Sequence, residues 1–104
     1  MEHENGLSLQ RSIYKRLLES IAQNPSDYEA YNDLGTYYSS INPIKALRSF
    51  QRAIEINPNY PVAFYNLANV LRDTGNLEAA LIYYKRAIAL DPCLLYASPS
   101  PRDS

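Results

Sequence analysis

Cysteine and histidine each occur once in this chain of 104 residues, and glycine only three times. A single cysteine, Cys93, excludes an internal disulfide. The single histidine, His3, has no neighbour with which to build a metal or acid–base site, and a solvated side chain is expected there. No Cys-x-x-Cys pair, Gly-rich phosphate loop or nucleophile elbow is present. No apolar run approaches the ~18 residues of a membrane span. Neither sign of charge dominates, with 10 Lys and Arg against 11 Asp and Glu, so the basic excess that nucleic acid requires is missing. The start, Met1 to Asn5, is acidic and lacks the apolar core of a secretory signal. These absences predict a chain that is not an enzyme, takes no cofactor or metal, contacts neither nucleic acid nor membrane, and resides inside the cell, in the cytoplasm.

Few glycines together with many Ala, Leu and Ile favour helix, and the ten tyrosines fall mainly within helical patterns. Aligning the chain with itself reveals a repeat. Ala30-Tyr31 answers Ala63-Phe64, and Leu34-Gly35 answers Leu67-Ala68. Ala46, Phe50 and Ala53 answer Ala80, Tyr84 and Ala87. Asn57-Pro58 answers Asp91-Pro92, with the prolines 34 residues apart. Tyr31, Leu34, Gly35 and Tyr38 share one helical face, as do Phe64, Leu67, Ala68 and Leu71. Small residues at 35, 46, 53, 68, 80 and 87 let paired helices approach; rings at 31, 50, 64 and 84 fill the space between them.

The punctuation agrees with this pattern. Ser26 and Glu29 form a capping-box spacing, and Asn42 precedes Pro43 as a cap precedes an N-terminal proline. Gly75 is placed to stop a helix and Asn76 to cap the next one. Helices are expected at about 8–23, 28–40, 43–56, 61–74 and 77–90. The expected organisation is a disordered start at 1–7, then a capping helix or degenerate half-repeat at 8–25. Repeats follow at 28–60 and 61–92. The fold class is all-α: an α-solenoid of antiparallel helix hairpins, about two and a half repeats long. Arg48, Arg52, Lys85 and Arg86 fall on second-helix surfaces and read as a solvated convex face.

On these residues the chain resembles the tetratricopeptide repeat family. Residues 61–92 match its signature closely, including Gly75; residues 28–60 match with a first turn one residue short and without its glycine. The resemblance implies a protein-interaction scaffold that holds a peptide or partner segment in a concave groove lined by the first helix of each pair. It assigns Glu29, Asn32, Thr36 and Ser39 to that groove from the first repeat, and Val62, Tyr65, Asn69 and Arg72 from the second. Glu29, Asn32 and Thr36 stand against the family's subclass that clamps chaperone carboxylates with Lys and Arg. The amides and hydroxyls also resemble groove linings attached to protein O-linked glycosyltransferases. The alternative is therefore a substrate-selecting fragment of a larger enzyme of that kind.

The repeat logic stops at Pro92. Residues 93–104 read CLLYASPSPRDS, a Ser/Pro-rich string in which Ser98 and Ser100 precede prolines. Residues 93–103 also resemble the translation of a sequencing-library adapter, departing from it at Ala97 alone, and we read the tail as non-native on that basis. Natural sequence would then continue into further repeats, leaving Leu81, Ile88 and Leu90 without their next neighbour. Solenoids need about three repeats and a polar cap for stability. The 104-residue chain is thus expected to be marginally stable or to self-associate through its C-terminal repeat. Sedimentation and thermal melts check this: a strict monomer with a sharp, high-temperature transition contradicts it.

Overall fold

The computed structural model describes residues 5–94, and the adapter-like segment lies almost wholly outside them. Five α-helices follow one another: α1 (Asn5–Gln23), α2 (Tyr28–Tyr38), α3 (Pro43–Ile56), α4 (Pro61–Asp73) and α5 (Leu77–Leu90). Each packs on its neighbour in sequence, and α2 also touches α4. The result is the all-α stack of hairpins expected, α2 with α3 and α4 with α5. Helix α1 begins at Asn5, so the start expected to be disordered through residue 7 contributes its last residues to a helix.

Local chemistry explains most boundaries. Asn42 caps α3, accepting from Lys45 N at 3.2 Å, and Pro43 follows at the position where a missing N–H costs nothing. Helix α2 is capped by Asp27, which accepts from Ala30 N at 3.0 Å, rather than by Ser26 as the capping-box spacing suggested. A carboxylate there also complements the positive end of the helix dipole. Asn76 does not cap α5 either: its Nδ2 donates to Thr74 Oγ1 at 3.2 Å. Its backbone N–H instead closes α4, donating to Leu71 O at 2.8 Å while Gly75 N donates to Arg72 O at 3.0 Å. Gly75 has φ of 90°, the left-handed value that this type of helix end needs.

The short first turn is solved differently. Asn42 N and Ile41 N both donate to Tyr38 O, at 2.7 and 2.8 Å. Ser39 stays in the right-handed region at φ −56°, ψ −31°. Dropping one residue removes the left-handed position and, with it, the need for glycine.

The core joins the two hairpins. Ala46 and Phe50 of α3 form one buried cluster with Leu67 and Val70 of α4, flanked by Tyr38, Leu47, Ile54, Leu71 and Tyr83. All of the small residues at 35, 46, 53, 68, 80 and 87 are buried. Phe50 is 1% exposed and lies against Gly35, where an added Cβ would stand 2.5 Å from Cε1 and 2.6 Å from Cδ1. At the N-terminal end, Tyr14 of α1 stacks on Tyr37 with ring centres 4.8 Å apart, and its hydroxyl meets that of Tyr38 at 3.0 Å.

The Gly35–Phe50 contact yields a direct expectation. Gly35→Ala forces the Phe50 ring out of its seat and lowers stability by about 1–3 kcal/mol. Phe50→Leu added to Gly35→Ala recovers part of that loss. Urea denaturation checks both; an unchanged midpoint for Gly35→Ala contradicts the contact.

Candidate functional site

Helices α2 and α4 are the first helices of their hairpins and touch each other, so their outward faces form one continuous surface. Glu29, Thr36, Ser39 and Arg72 are exposed there, Val62 is 39% exposed, and Tyr65 and Asn69 are half-buried. Asn32 departs from the expectation. It is 5% exposed, and its Oδ1 accepts from Asn66 Nδ2 at 3.0 Å, tying α2 to α4. A buried amide needs such a partner, and the bond makes Asn32 a tie between α2 and α4 rather than an open contact.

The hydroxyls of the first repeat turn inward to their own helix. Thr36 Oγ1 donates to Asn32 O at 3.2 Å, and Ser39 Oγ donates to Thr36 O at 2.8 Å. They offer lone pairs to a ligand, not free protons.

The second repeat carries a connected polar cluster. The Tyr84 hydroxyl, from α5, donates to Asn69 Oδ1 and accepts from Arg72 Nη1 at 3.1 Å. Arg72 is held in turn by Asp73 Oδ1, at 3.2 Å from Nε and 3.1 Å from Nη2. The Tyr65 ring meets the Tyr84 ring edge-on, centres 5.6 Å apart. Burial pushes the Tyr84 hydroxyl pKa up, and Arg72 partly opposes that shift. Neutral Tyr84 therefore stays in place as both donor and acceptor. The hydrogen bond to Asp73 raises the Arg72 pKa further, keeping the guanidinium charged.

Sequence reasoning missed the roles of Tyr84, Asp73 and Asn66. Tyr84 falls at a core position of the repeat pattern, and the only hint was a tyrosine where the first repeat has Phe50. The acidic end of the surface is local to the start of α2. Burial raises the Asp33 pKa first, and Glu29 and Asp27 add to it by repulsion. Asp27, Glu29 and Asp33 thus make the surface negative near the start of α2, whereas at the end of α4 Arg72 and Asp73 offset each other.

Residues 61–92 match the tetratricopeptide repeat family model, and residues 45–72 match a second TPR repeat model. The chain is a tetratricopeptide repeat protein. It is 37% identical over 73 residues to the uncharacterised protein ycf37 of Porphyra purpurea, spanning 69% of this chain and 42% of that one. Its identity to ycf37 of Pyropia yezoensis is 34% over 62 residues, spanning 59% and 35% respectively. The chain therefore spans less than half the length of these relatives. Among solved structures, two of MamA superpose with TM-scores of 0.75 and 0.73. They have 22% and 21% identity, over 89% and 93% of this chain and 55% and 54% of theirs. At such identities the likeness shows the fold alone. Among the described residues, no helix is long and apolar enough to cross a membrane, and no group of three or more His, Cys, Asp and Glu is placed to hold a metal.

The Tyr84 hydroxyl is the hub of the polar cluster. Tyr84→Phe is expected to keep the helical content and to lower stability by about 0.5–1.5 kcal/mol, the net worth of a hydrogen bond. Circular dichroism with urea denaturation checks this, and an unchanged midpoint removes Tyr84 as the organiser.

Proposed function

We propose that the α2–α4 surface binds an extended segment of a partner protein, and that the chain acts through this contact rather than by catalysis. The supporting observation is the pre-set cluster of Tyr65, Asn69, Arg72 and Tyr84. Asn69 Oδ1 is committed to Tyr84, which turns its Nδ2 toward a peptide carbonyl. Tyr65 and Val62 supply apolar contact, and the Arg72–Asp73 pair supplies a fixed polar edge. Glu29, Thr36 and Ser39 would meet the part of the ligand lying over the first repeat. Holding these side chains beforehand reduces the ordering cost of binding.

A second contact, between copies of the chain, rests on α5. Leu81 stands 34 residues after Leu47 and is 54% exposed, whereas Leu47 packs against the core beneath α4. An α4-like surface from another copy would cover Leu81 in the same way. The alternative of a substrate-selecting fragment of a larger enzyme, such as a protein O-linked glycosyltransferase, leans on groove amides. Burial of Asn32 removes one of them from the open surface.

Selection of peptides from a displayed library on this chain tests the groove. Tyr65→Ala, Asn69→Ala and Arg72→Ala are each expected to weaken the selected peptides by about tenfold or more, the effect of losing a hot-spot side chain. Unchanged affinity for every selected peptide in all three variants refutes the assignment.

A further inference from the structure

The two hairpins share one device on their outer side and differ in how it is neutralised. In the first, the Arg52 guanidinium lies 5.9 Å from the centre of the Tyr31 ring and bonds Glu55 Oε1 at 3.0 Å. In the second, Arg86 lies 5.8 Å from the centre of the Phe64 ring, the same stack one repeat on. The position equivalent to Glu55, 34 residues later, is Ala89. The carboxylate is gone, and the ion pairs formed among the described residues, Arg52–Glu55 and Arg72–Asp73, do not involve Arg86 or Lys85.

The surroundings change in step. Arg48, Ser49 and Gln51 of the first hairpin are replaced by Ile82, Tyr83 and Lys85 in the second. Ile82 is 64% exposed, and Tyr83 stacks beside Phe64 with ring centres 6.1 Å apart. Together Phe64, Ile82, Tyr83, Lys85 and Arg86 line a shallow depression of about 430 Å³ with an apolar floor and two cations at its rim.

This depression is not the face that a following repeat would cover. In the first hairpin, where α4 does follow, Leu47 and Ile54 are packed beneath it, yet Arg48, Gln51 and Arg52 remain exposed. The equivalents of those three are Ile82, Lys85 and Arg86. Ser49, the equivalent of Tyr83, is buried, so Tyr83 and Phe64 form a floor while Ile82, Lys85 and Arg86 of α5 stay open in a longer array.

We infer that the Phe64–Ile82–Arg86 depression is a second docking surface, and that it takes an acidic linear segment of a partner protein with an aliphatic side chain between carboxylates. Charge complementarity selects that occupant. Attraction to the face of the Phe64 ring holds the Arg86 guanidinium at the rim, exposed and with its N–H groups open to a carboxylate. Lys85 adds a second point charge, and Ile82 with Tyr83 receives the aliphatic group between them. A ligand carboxylate takes the place that Glu55 fills within the first hairpin.

The probe is a fluorescein-labelled synthetic peptide in which leucines alternate with pairs of Asp and Glu, titrated with the full chain and followed by anisotropy. A control peptide carries Asn and Gln in place of the acids. Ala89→Glu restores the internal carboxylate at an exposed helical position without touching the stack, and is expected to weaken binding about tenfold, as is Arg86→Ala. Ile82→Ser weakens it as well, added salt weakens it further, and the amide control fails to bind. Tyr65→Ala and Asn69→Ala leave the acidic peptide's affinity unchanged. Undiminished binding to Ala89→Glu, equal binding of the amide control, loss of binding in Tyr65→Ala, or no binding by the wild-type chain each overturns the inference. Circular dichroism of every variant separates loss of fold from loss of contact, and Ala89→Glu carries the test if Arg86→Ala unfolds.

Discussion

Phe50 is the side chain through which the helices of this protein meet. Its ring lies against Gly35, at a distance that leaves no room for even a methyl group, and so draws α3 onto α2. The same side chain shares a buried cluster with Leu67 and Val70, which draws α4 onto α3. One ring thus closes the first hairpin and seats the second upon it. Repeat proteins depend on such nearest-neighbour contacts because no single hairpin buries its apolar faces alone. The placement of α4 beside α2, and hence the surface they share, follows from that seat.

The second repeat carries the same plan with a change at its centre. Tyr84 stands where Phe50 stands, and Ala68 carries the methyl that Gly35 lacks. Tyr84 is half-buried, and its hydroxyl reaches Asn69 and Arg72. A core position thereby becomes an organiser of the polar cluster on α4. Likewise, the loss of one carboxylate at Ala89 turns a self-satisfied arginine stack into one with an unfilled rim. In both cases the proposed contacts fall where the second repeat departs from the first, on a backbone that both share.

Much of the fold was legible because packing writes a period into the sequence. The small residues that answer one another at 46 and 80, and at 53 and 87, are buried as their spacing requires. The bounds of α3 and α5 agree with expectation at both ends. Caps were less legible. Asp27 and Ser26 are neighbours with equally suitable side chains, and only the register of the first helical turn chooses Asp27. The groove was legible as a face but not as a set of available groups. Asn32 lies on the predicted face, yet the approach of α4 brings Asn66 within hydrogen-bonding distance and closes it off.

The sequence by itself determined that the chain forms helical hairpins, which faces they bury, and where they turn. Those properties depend on residues within a few turns of each other, or on a period that self-alignment exposes. Only the tertiary structure decided which polar groups remain available. It pairs Asn32 with Asn66, aims the Tyr84 hydroxyl at Asn69 and Arg72, and sets the Arg86 guanidinium over Phe64. Each of these depends on the distance between side chains of different helices. That distance is set by how closely Gly35 lets Phe50 approach and by how α4 then settles against α3.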